Sequence, residues 1–470
     1  MTGAPVLAGI EVHGGAGGVE ADLADLAALA GSSLALAEAL AATSAACHAV
    51  LVDPDLLASA VLDPVAVARF QAALLAALDG PGGLTALAVT STARAATLRA
   101  AAAAYAAADA ALAALLDDLH WAAGFVPEAA VAGLLVAGAA QVVTDPAGAA
   151  AAVGDLADDP ERWLTEHPGV VGHVVNAAPG AASRVAVGTG GLLSPWLGGG
   201  DVRSAAARLG RLWPDGEPVV ARRPDDLRPA AVRPPRGAAD LLAALHLRSV
   251  ESGAGRDHIG VRVLTRADGT TAYVVDIPGT GDWALPDGSV NPASNDLGTN
   301  LRVLGGEVTT RQRAVAEALR RSGAGPGDPV LLVGHSQGGM VAAQAAHDAG
   351  TADFPYDVRG VLTAGAPIGR AEVPSRVQVL ALENAHDVVA HLDGRANDDD
   401  PNVTTVTFAR STGAVATAHG LASSYLPGAR AVDRSEGPSL AAFRASAAPF
   451  LAGPGDEVVV TAHVYAIGRG

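Results

Sequence analysis

Lysine is missing from this 470-residue sequence, so arginine alone supplies the permanent positive side-chain charges. Acidic residues outnumber arginine, and the formal net charge is -18 at pH 7. A protein with this charge is repelled by phosphate backbones and by anionic lipid headgroups. We therefore expect no nucleic acid among its partners and no electrostatic attachment to membranes.

Cysteine is nearly absent as well. The single Cys47 excludes an internal disulfide but leaves the redox compartment open. One cysteine also rules out the Cys and His clusters that hold zinc. Asp398, Asp399 and Asp400 follow Asp393, but they lack the regular spacing of a calcium loop. We interpret them as a solvated acidic loop.

Signals for a bound cofactor are also lacking. The glycine-rich stretch at residues 188–191 has neither the lysine nor the strand-to-helix setting of a phosphate loop. The sequence therefore predicts neither a cofactor nor a metal.

Hydrophobic runs are short, although half of the residues are apolar. The longest ones, such as residues 130–143, fall short of a bilayer, so we predict no transmembrane segment. Residues 1–5 lack a basic start, and Glu11 and His13 interrupt the next apolar run, so no secretory signal is predicted. Location stays open between the cytoplasm and export without a cleaved signal peptide.

What the sequence does contain is the pattern Gly334-His335-Ser336-Gln337-Gly338. A chain with 56 glycines produces roughly 0.3 such matches by chance, so the context must decide. Residues 330–333 predict a buried strand before the pattern, and residues 340–347 predict a helix after it. Small neighbours leave room for a serine nucleophile on a strained strand-to-helix turn.

The segment around Ser336 resembles the α/β-hydrolase superfamily, esterases and lipases especially. This resemblance implies an α/β fold with a mostly parallel sheet between helices, and an acid and a histidine that each follow a further strand. Residues 377–382 predict a strand that precedes Asp387, and residues 403–408 predict one that precedes His419. The resemblance thus implies Ser336 as nucleophile, His419 as base and Asp387 as the group that orients it.

Other residues compete for two of these roles. Glu383 follows the same predicted strand as Asp387, and His386 and His391 are alternatives to His419. Chain order and the preceding strand favour Asp387 and His419.

Hydrolysis through a serine also needs donors for the oxyanion that forms on the substrate. The amide of Gln337 opens the helix after Ser336 and is one candidate. The second donor is expected in the loop after an earlier strand, where residues 273–277 are followed by Gly279 and Thr280. We predict these amides as the oxyanion hole.

Three regions are predicted along the chain. Residues 1–120 form an alanine-rich helical domain. Residues 121–237 are mixed helix and loop, and they end in a connector rich in proline and arginine. Residues 238–470 form the α/β-hydrolase domain.

The helical domain resembles the helical-hairpin proteins of type VII secretion. Tyr105 and Asp109 match the Tyr-x-x-x-Asp export signal of that family, toward the end of a long predicted helix over residues 84–119. The family's Trp-x-Gly triplet belongs in the turn between the helices, whereas Trp196-Leu197-Gly198 lies far downstream. This resemblance implies a helical protein partner. A position in the helical core explains Tyr105 equally well.

Together these patterns favour a serine hydrolase that cleaves small-molecule or lipid esters without a cofactor or metal. A peptidase or a thioesterase would use the same three residues. The alternative from another class is a secreted or assembly protein whose helical region binds a partner, with the hydrolase fold as scaffold.

Overall fold

The computed structural model describes residues 10–15, 23–125, 158–189, 191, 200–410 and 413–470. The chain forms two compact units, one over Val19–Leu116 and the other over Met1–Gly18 together with Asp117–Gly470. At this level the architecture is α/β, with an N-terminal helical region and a C-terminal mixed sheet flanked by helices.

The helical unit follows the alanine-rich part of the sequence. Its helices are α1 (Leu23–Val50), α2 (Pro54–Ser59), α3 (Pro64–Asp79) and α4 (Leu84–Phe125), the last of which continues beyond the unit. Asp53 and Asp63 cap α2 and α3 by accepting hydrogen bonds from backbone N–H groups, and a proline follows each cap. Alanine side chains such as Ala37 and Ala95 are buried, because they allow close approach of neighbouring helices.

The described residues of the second unit contain one nine-stranded sheet with the order β1-β8-β7-β6-β5-β4-β3-β9-β2. Strands β4 to β8 are parallel, whereas β1, β3, β9 and β2 pair antiparallel with their neighbours. The strands are β1 (Ile10–Gly14), β2 (Pro218–Arg222), β3 (Asp257–Arg266), β4 (Thr271–Ile277), β5 (Pro329–His335), β6 (Asp357–Ala364), β7 (Gln378–Asn384), β8 (Val403–Phe408) and β9 (Val458–Arg469).

Helices surround this sheet. They are α5 (Pro160–Glu166), α6 (Gly169–Gly188), α7 (Val202–Gly210), α8 (Pro229–Val232), α9 (Ala238–Glu251), α10 (Leu297–Leu304), α11 (Thr310–Arg321), α12 (Gln337–His347), α13 (Val415–Ala418), α14 (Leu426–Asp433) and α15 (Pro438–Ala447). Short 3-10 turns occupy Val388–His391 and Ala448–Phe450, and a π-helical segment occupies Leu421–Tyr425.

Both faces of the sheet are buried, as the continuous apolar run of β5 requires. Val330 and Leu332 point into a core shared with α11 and α12. Leu331 and Val333 alternate to the opposite face, where they join a core shared with α9 and α15. The central strand is therefore held on both sides, and its carboxyl end is a rigid platform.

The observed boundaries differ from the predicted ones at two places. Ile10–Gly14 lies within the predicted helical domain but pairs with β8 at the edge of the sheet. Pro218–Arg222 lies within the predicted connector but pairs with β9 at the other edge. Both pairings join residues far apart in the chain, so local composition carries no signal for them. Arg228 in the predicted connector also forms an ion pair with the buried Asp226, although its own side chain is exposed.

Several sequence features cannot be followed further. Residues 130–143 and Trp196-Leu197-Gly198 lie outside the described residues. Tyr105 and Asp109 lie on α4, but their side chains are outside the described part.

Two helical stretches, Leu26–Ser59 and Pro64–Ala104, are long and apolar enough to cross a membrane by length and composition alone. Only 11% and 17% of their most apolar windows are buried in this structure. The apolar runs considered in the sequence are shorter than these two helical stretches. The absence of a transmembrane segment therefore stays a prediction.

Candidate active site

Ser336 lies at the junction of β5 and α12. It is the one non-glycine residue with a positive φ, +54°, among the residues that the structure describes. Such a conformation costs about 1–3 kcal/mol and persists only where the surroundings enforce it. The turn is tight because a Cβ on Gly334 would collide with the backbone of Gly338, and one on Gly338 with the backbone oxygens of Ile277 and Pro278.

The loop after β4 runs directly beside Ser336. A Cβ placed on Gly279 would lie 2.9 Å from the Cβ of Ser336, so only glycine allows this approach. The side chain of Thr280 accepts a hydrogen bond of 3.0 Å from Asn300 Nδ2. Gln337 is the first residue of α12, at the positive end of the helix dipole. All three residues predicted for the oxyanion hole therefore lie next to or within the loops around Ser336.

Asp387 and His419 are in direct contact. His419 Nδ1 lies 2.7 Å from Asp387 Oδ2, and the carboxylate is fully buried. Burial opposes ionisation, but the hydrogen bond and charge of His419, with further bonds from Tyr425 and the Val389 N–H, lower the pKa of Asp387 overall. An ionised carboxylate is a hydrogen-bond acceptor, so it favours the His419 tautomer that carries its proton on Nδ1.

Two of the rival residues, Glu383 and His386, have other partners. The Glu383 carboxyl accepts a hydrogen bond from Asn397 Nδ2 at 2.7 Å, and burial next to Asp393 raises its pKa to about 7. His386 Nδ1 bonds instead to the Thr165 carbonyl at 2.9 Å. A carboxyl whose pKa is raised by burial and a histidine bonded to a distant backbone group are poor substitutes for the Asp387–His419 pair.

His335 connects the serine turn to His419. Its ring stacks on the His419 ring with 4.5 Å between centroids, and its Nε2 lies 2.9 Å from the His419 carbonyl oxygen. No hydrogen bond joins Ser336 Oγ to the His419 ring in the described parts of the chain. Such bonds are often long without substrate, and they shorten in the reacting complex.

His335 itself stays neutral. Burial, helped by the nearby His419, lowers its pKa to about 3. A neutral imidazole can donate Nε2–H to the His419 carbonyl, so the His335 ring is held by a hydrogen bond against the His419 ring. Sequence analysis assigned His335 no role, because its position in the pattern does not reveal the stacking.

Tyr425 is a second residue that sequence analysis missed. Its hydroxyl donates to Asp387 Oδ2 at 2.5 Å. The residue follows His419 by six positions, but no local pattern indicates that the chain turns back onto Asp387 there. Its contact depends on the π-helical segment Leu421–Tyr425.

A buried polar cluster lies behind the serine turn, and we call it the Asp296 cluster. The Gln337 side chain donates from Nε2 to the Asp296 carbonyl and accepts from Arg311 Nη1, at 2.6 Å each. Arg311 also pairs with Asp257 at 2.9 Å. The Asp296 carboxylate accepts two hydrogen bonds from Arg469. The members of the cluster are Asp257, Asp296, Arg311, Gln337 and Arg469, each less than a tenth exposed.

The loop after β4 is attached to the same place. Gly281 N–H donates to the carbonyl of Asn295 at 2.9 Å, one residue before Asp296. The two predicted sources of oxyanion donors, the start of α12 and the loop at Gly279, are therefore held against one short buried segment. This arrangement makes their separation rigid.

Segment 158–189 packs against the loops that carry Asp387 and His419. The Thr165 carbonyl bonds His386, the neighbour of Asp387, and Glu161 Oε1 accepts from the Val415 N–H at the start of the helix before His419. Farther along, Asn176 Nδ2 donates to the Gly394 carbonyl at 2.6 Å. These bonds restrain both loops from outside the sheet.

Metal binding has little support in this part of the molecule. Within the described residues, no group of three or more His, Cys, Asp or Glu side chains is arranged to hold a metal ion. In the acidic loop, Asp398 pairs with Arg395 at 2.7 Å.

The first prediction concerns the Asp296 cluster. Gln337→Met should lower the free energy of unfolding by about 3 kcal/mol, because Arg311 Nη1 and the Asp296 carbonyl both lose a buried partner. Chemical denaturation measures this loss. Gln344→Met on the same helix is the control, with less than about 1 kcal/mol expected, because its acceptor Asp348 Oδ2 keeps a bond from Gln312. Equal losses in the two variants would contradict the assignment.

The second prediction concerns the neutral His335. Between pH 6.5 and about 3 the unfolded chain binds a proton at this residue and the folded protein does not, so folding stability falls as the pH is lowered. In His335→Gln this component, about 1.4 kcal/mol per pH unit at most, should disappear. Denaturation between pH 4 and 7 tests it, with the exposed His347→Gln as control. A slope unchanged from wild type would show that His335 titrates normally.

No protein-family model matches this chain, and comparisons with curated proteins and with solved structures find no significant match either.

Proposed function

We propose that this protein is a serine hydrolase with an α/β-hydrolase fold that cleaves carboxylic esters of small molecules or lipids. The observation that supports this most directly is the buried Asp387–His419 pair beside a serine in a strained strand-to-helix turn. Residues that serve packing alone have no need of a positive φ at a serine or of an ionised buried carboxylate.

The order of the site along the sheet supports the same proposal. Ser336 follows β5, Asp387 follows β7 and His419 follows β8, and these three strands are parallel. Their carboxyl ends meet at one edge of the sheet. This is the order and placement expected of an α/β-hydrolase, with nucleophile, acid and base in sequence.

The proposed reaction begins with attack of Ser336 Oγ on the ester carbonyl carbon. His419 Nε2 takes the hydroxyl proton as the C–O bond forms, and the carbonyl oxygen becomes an oxyanion. The N–H groups of Gln337 and of the loop at Gly279 and Thr280 stabilise that charge. When the tetrahedral intermediate collapses, the bond between the former carbonyl carbon and the alcohol oxygen breaks. The alcohol leaves with the proton from His419, and the acyl group stays on Ser336.

Water completes the cycle. His419 removes a proton from a water molecule as the water oxygen attacks the acyl-enzyme carbonyl carbon. His419 returns that proton to Ser336 Oγ when the bond to the carboxylic acid product breaks. Asp387 stays ionised throughout and stabilises the imidazolium that forms twice per cycle. No cofactor is consumed. A thioester or a peptide bond would fit the same steps, so a substrate panel must separate these leaving groups.

The third prediction tests the nucleophile. Ser336→Ala should lower kcat for p-nitrophenyl esters by at least about 10³-fold and abolish labelling by a fluorophosphonate, because no other hydroxyl can form the acyl-enzyme. Ser446→Ala, whose hydroxyl bonds the Arg359 carbonyl on the surface, should behave as wild type. Ester hydrolysis that survives Ser336→Ala would disprove the mechanism.

A second candidate function concerns the helical unit. The unit exposes apolar residues, with Val61 and Leu62 in the turn between α2 and α3 and Val89 on α4 all more than half exposed. A groove of about 750 Å³ between α1 and α4 is lined mainly by alanine, serine and threonine together with Leu34 and Val89. Small side chains permit the close approach of another helix, which supports a helical protein partner for this unit.

The fourth prediction tests that partner. A photoreactive residue at Val89, in the groove, should yield one crosslinked species of defined mass in cells that produce the full chain. The same residue at Leu227, an exposed apolar position of the other unit, should yield none. Identical crosslinking patterns from both positions, or none from Val89, would count against a partner in the groove.

A further inference from the structure

One oxygen of Asp387 accepts two side-chain hydrogen bonds. His419 Nδ1 approaches Oδ2 at 2.7 Å, and the Tyr425 hydroxyl approaches the same Oδ2 at 2.5 Å. The other oxygen, Oδ1, accepts the Val389 N–H at 2.9 Å. The carboxylate is thus held by three donors, and two of them compete for the negative charge of a single atom.

The direction of the Tyr425 bond is set by its surroundings. Its oxygen accepts the Asn384 N–H at 3.3 Å, so the phenolic proton is free to point at Asp387. An ionised carboxylate has no proton to donate, and burial next to Asp387 raises the pKa of Tyr425 well above its ordinary value. Tyr425 therefore acts as the donor.

The absence of a side chain at Gly365 leaves room for this hydrogen bond. Gly365, at the end of β6, has a φ of +58°, and a Cβ there would lie 2.7 Å from both Asp387 Oδ2 and the Tyr425 hydroxyl oxygen. The Tyr425 ring is fully buried and packs edge-on against Phe408, with 5.6 Å between centroids. Burial and this ring contact restrict the movement of the side chain.

Tyr425 and His419 also belong to one short piece of chain. The π-helical segment Leu421–Tyr425 begins two residues after His419 and ends at the tyrosine. The Tyr425 ring meets the His419 ring at 6.4 Å and the His335 ring at 6.1 Å, both edge-on. The base and the second donor to its carboxylate are therefore placed by the same turn of backbone.

We propose that Tyr425 is a positioning residue of the site, which fixes the Asp387 carboxylate and withdraws negative charge from the oxygen that faces His419. This inference rests on the proposed hydrolase function. A carboxylate held by His419 alone could rotate about its Cβ–Cγ bond and would carry more charge on Oδ2. Tyr425 thus sets both the orientation of the base and how strongly its protonated form is stabilised.

Other titratable groups lie near Asp387 and His419. A substitution at Tyr425 leaves them unchanged, so the role of Tyr425 is tested by the difference between the pH profiles of wild type and variant. Glu383, His335 and His391 interact electrostatically with Asp387, and His246 acts on His335. The helices packed against these loops add Glu161, Arg162 and Glu166 on α5, His173 and Arg184 on α6, Asp240, Arg248 and Glu251 on α9, and Arg430 and Asp433 on α14. Glu383, with a pKa of about 7, titrates in the range of the assay, so a site-specific signal is needed as well.

The fifth prediction is that Tyr425→Phe lowers kcat for an ester substrate about tenfold and leaves KM within twofold, because ground-state binding is unaffected. The acid limb of the kcat/KM profile should move to higher pH, since the charge on Oδ2 is no longer shared. The low-field proton resonance of the imidazole N–H that bonds Asp387 should move in the same comparison. Tyr356→Phe is the matched control, because that hydroxyl donates to the Ala316 carbonyl away from the site.

The proposal would be overturned if Tyr425→Phe had the same kcat, pH profile and proton resonance as Tyr356→Phe. If Tyr425→Phe does not fold, 3-fluorotyrosine at position 425 replaces it, and its more acidic hydroxyl should shift the resonance in the opposite direction. No movement of the resonance with fluorotyrosine would overturn the proposal equally. The resonance needs no turnover, so a protein without esterase activity or Ser336 labelling would refute the hydrolase function separately from the role of Tyr425.

Discussion

The turn at Ser336 is the constraint on which the site depends. A serine at φ +54° must be held there by its surroundings, and the chain does so by packing glycine backbone against backbone at Gly334 and Gly338. A second contact, between Gly338 and the backbone oxygens of Ile277 and Pro278, brings the start of α12 against the end of β4 and places the loop at Gly279 beside the serine. The strained turn and the position of the neighbouring loop therefore both depend on close approaches at Gly338.

Buried charge around this turn is tolerable only because each group has partners. Arg311 and Asp257 are completely buried, and an ion pair at that depth is costly unless further hydrogen bonds satisfy it. Gln337 supplies one of those bonds and is itself the residue after Ser336, the proposed nucleophile. Because these buried groups must be hydrogen-bonded, the network also fixes the position of the proposed oxyanion donors. Preorganised stabilisation of a transition state requires such fixed donors.

Local patterns allowed several parts of this arrangement to be predicted. The apolar run at 330–333 corresponds to the central part of β5. Asp387 and His419, chosen by chain order and by the strand predicted before each, are in contact, with 2.7 Å between Asp387 Oδ2 and His419 Nδ1. Tyr425 and the Asp296 cluster could not be found in this way. Their contacts join residues that are far apart in the chain or follow an unusual π-helical segment, and neither has a local signature.

The amino-acid order determined the alternation of apolar runs and helices, the glycines that permit the serine turn, and the succession of serine, acid and histidine. These follow from side-chain size, backbone freedom and periodicity, which act over a few residues. Tertiary structure decided which strands form the edges of the sheet, that Glu383 bonds Asn397 instead of His419, and that Tyr425 shares an oxygen of Asp387. Those outcomes depend on burial and on hydrogen bonds between distant residues, whose energies exist only once the chain has folded.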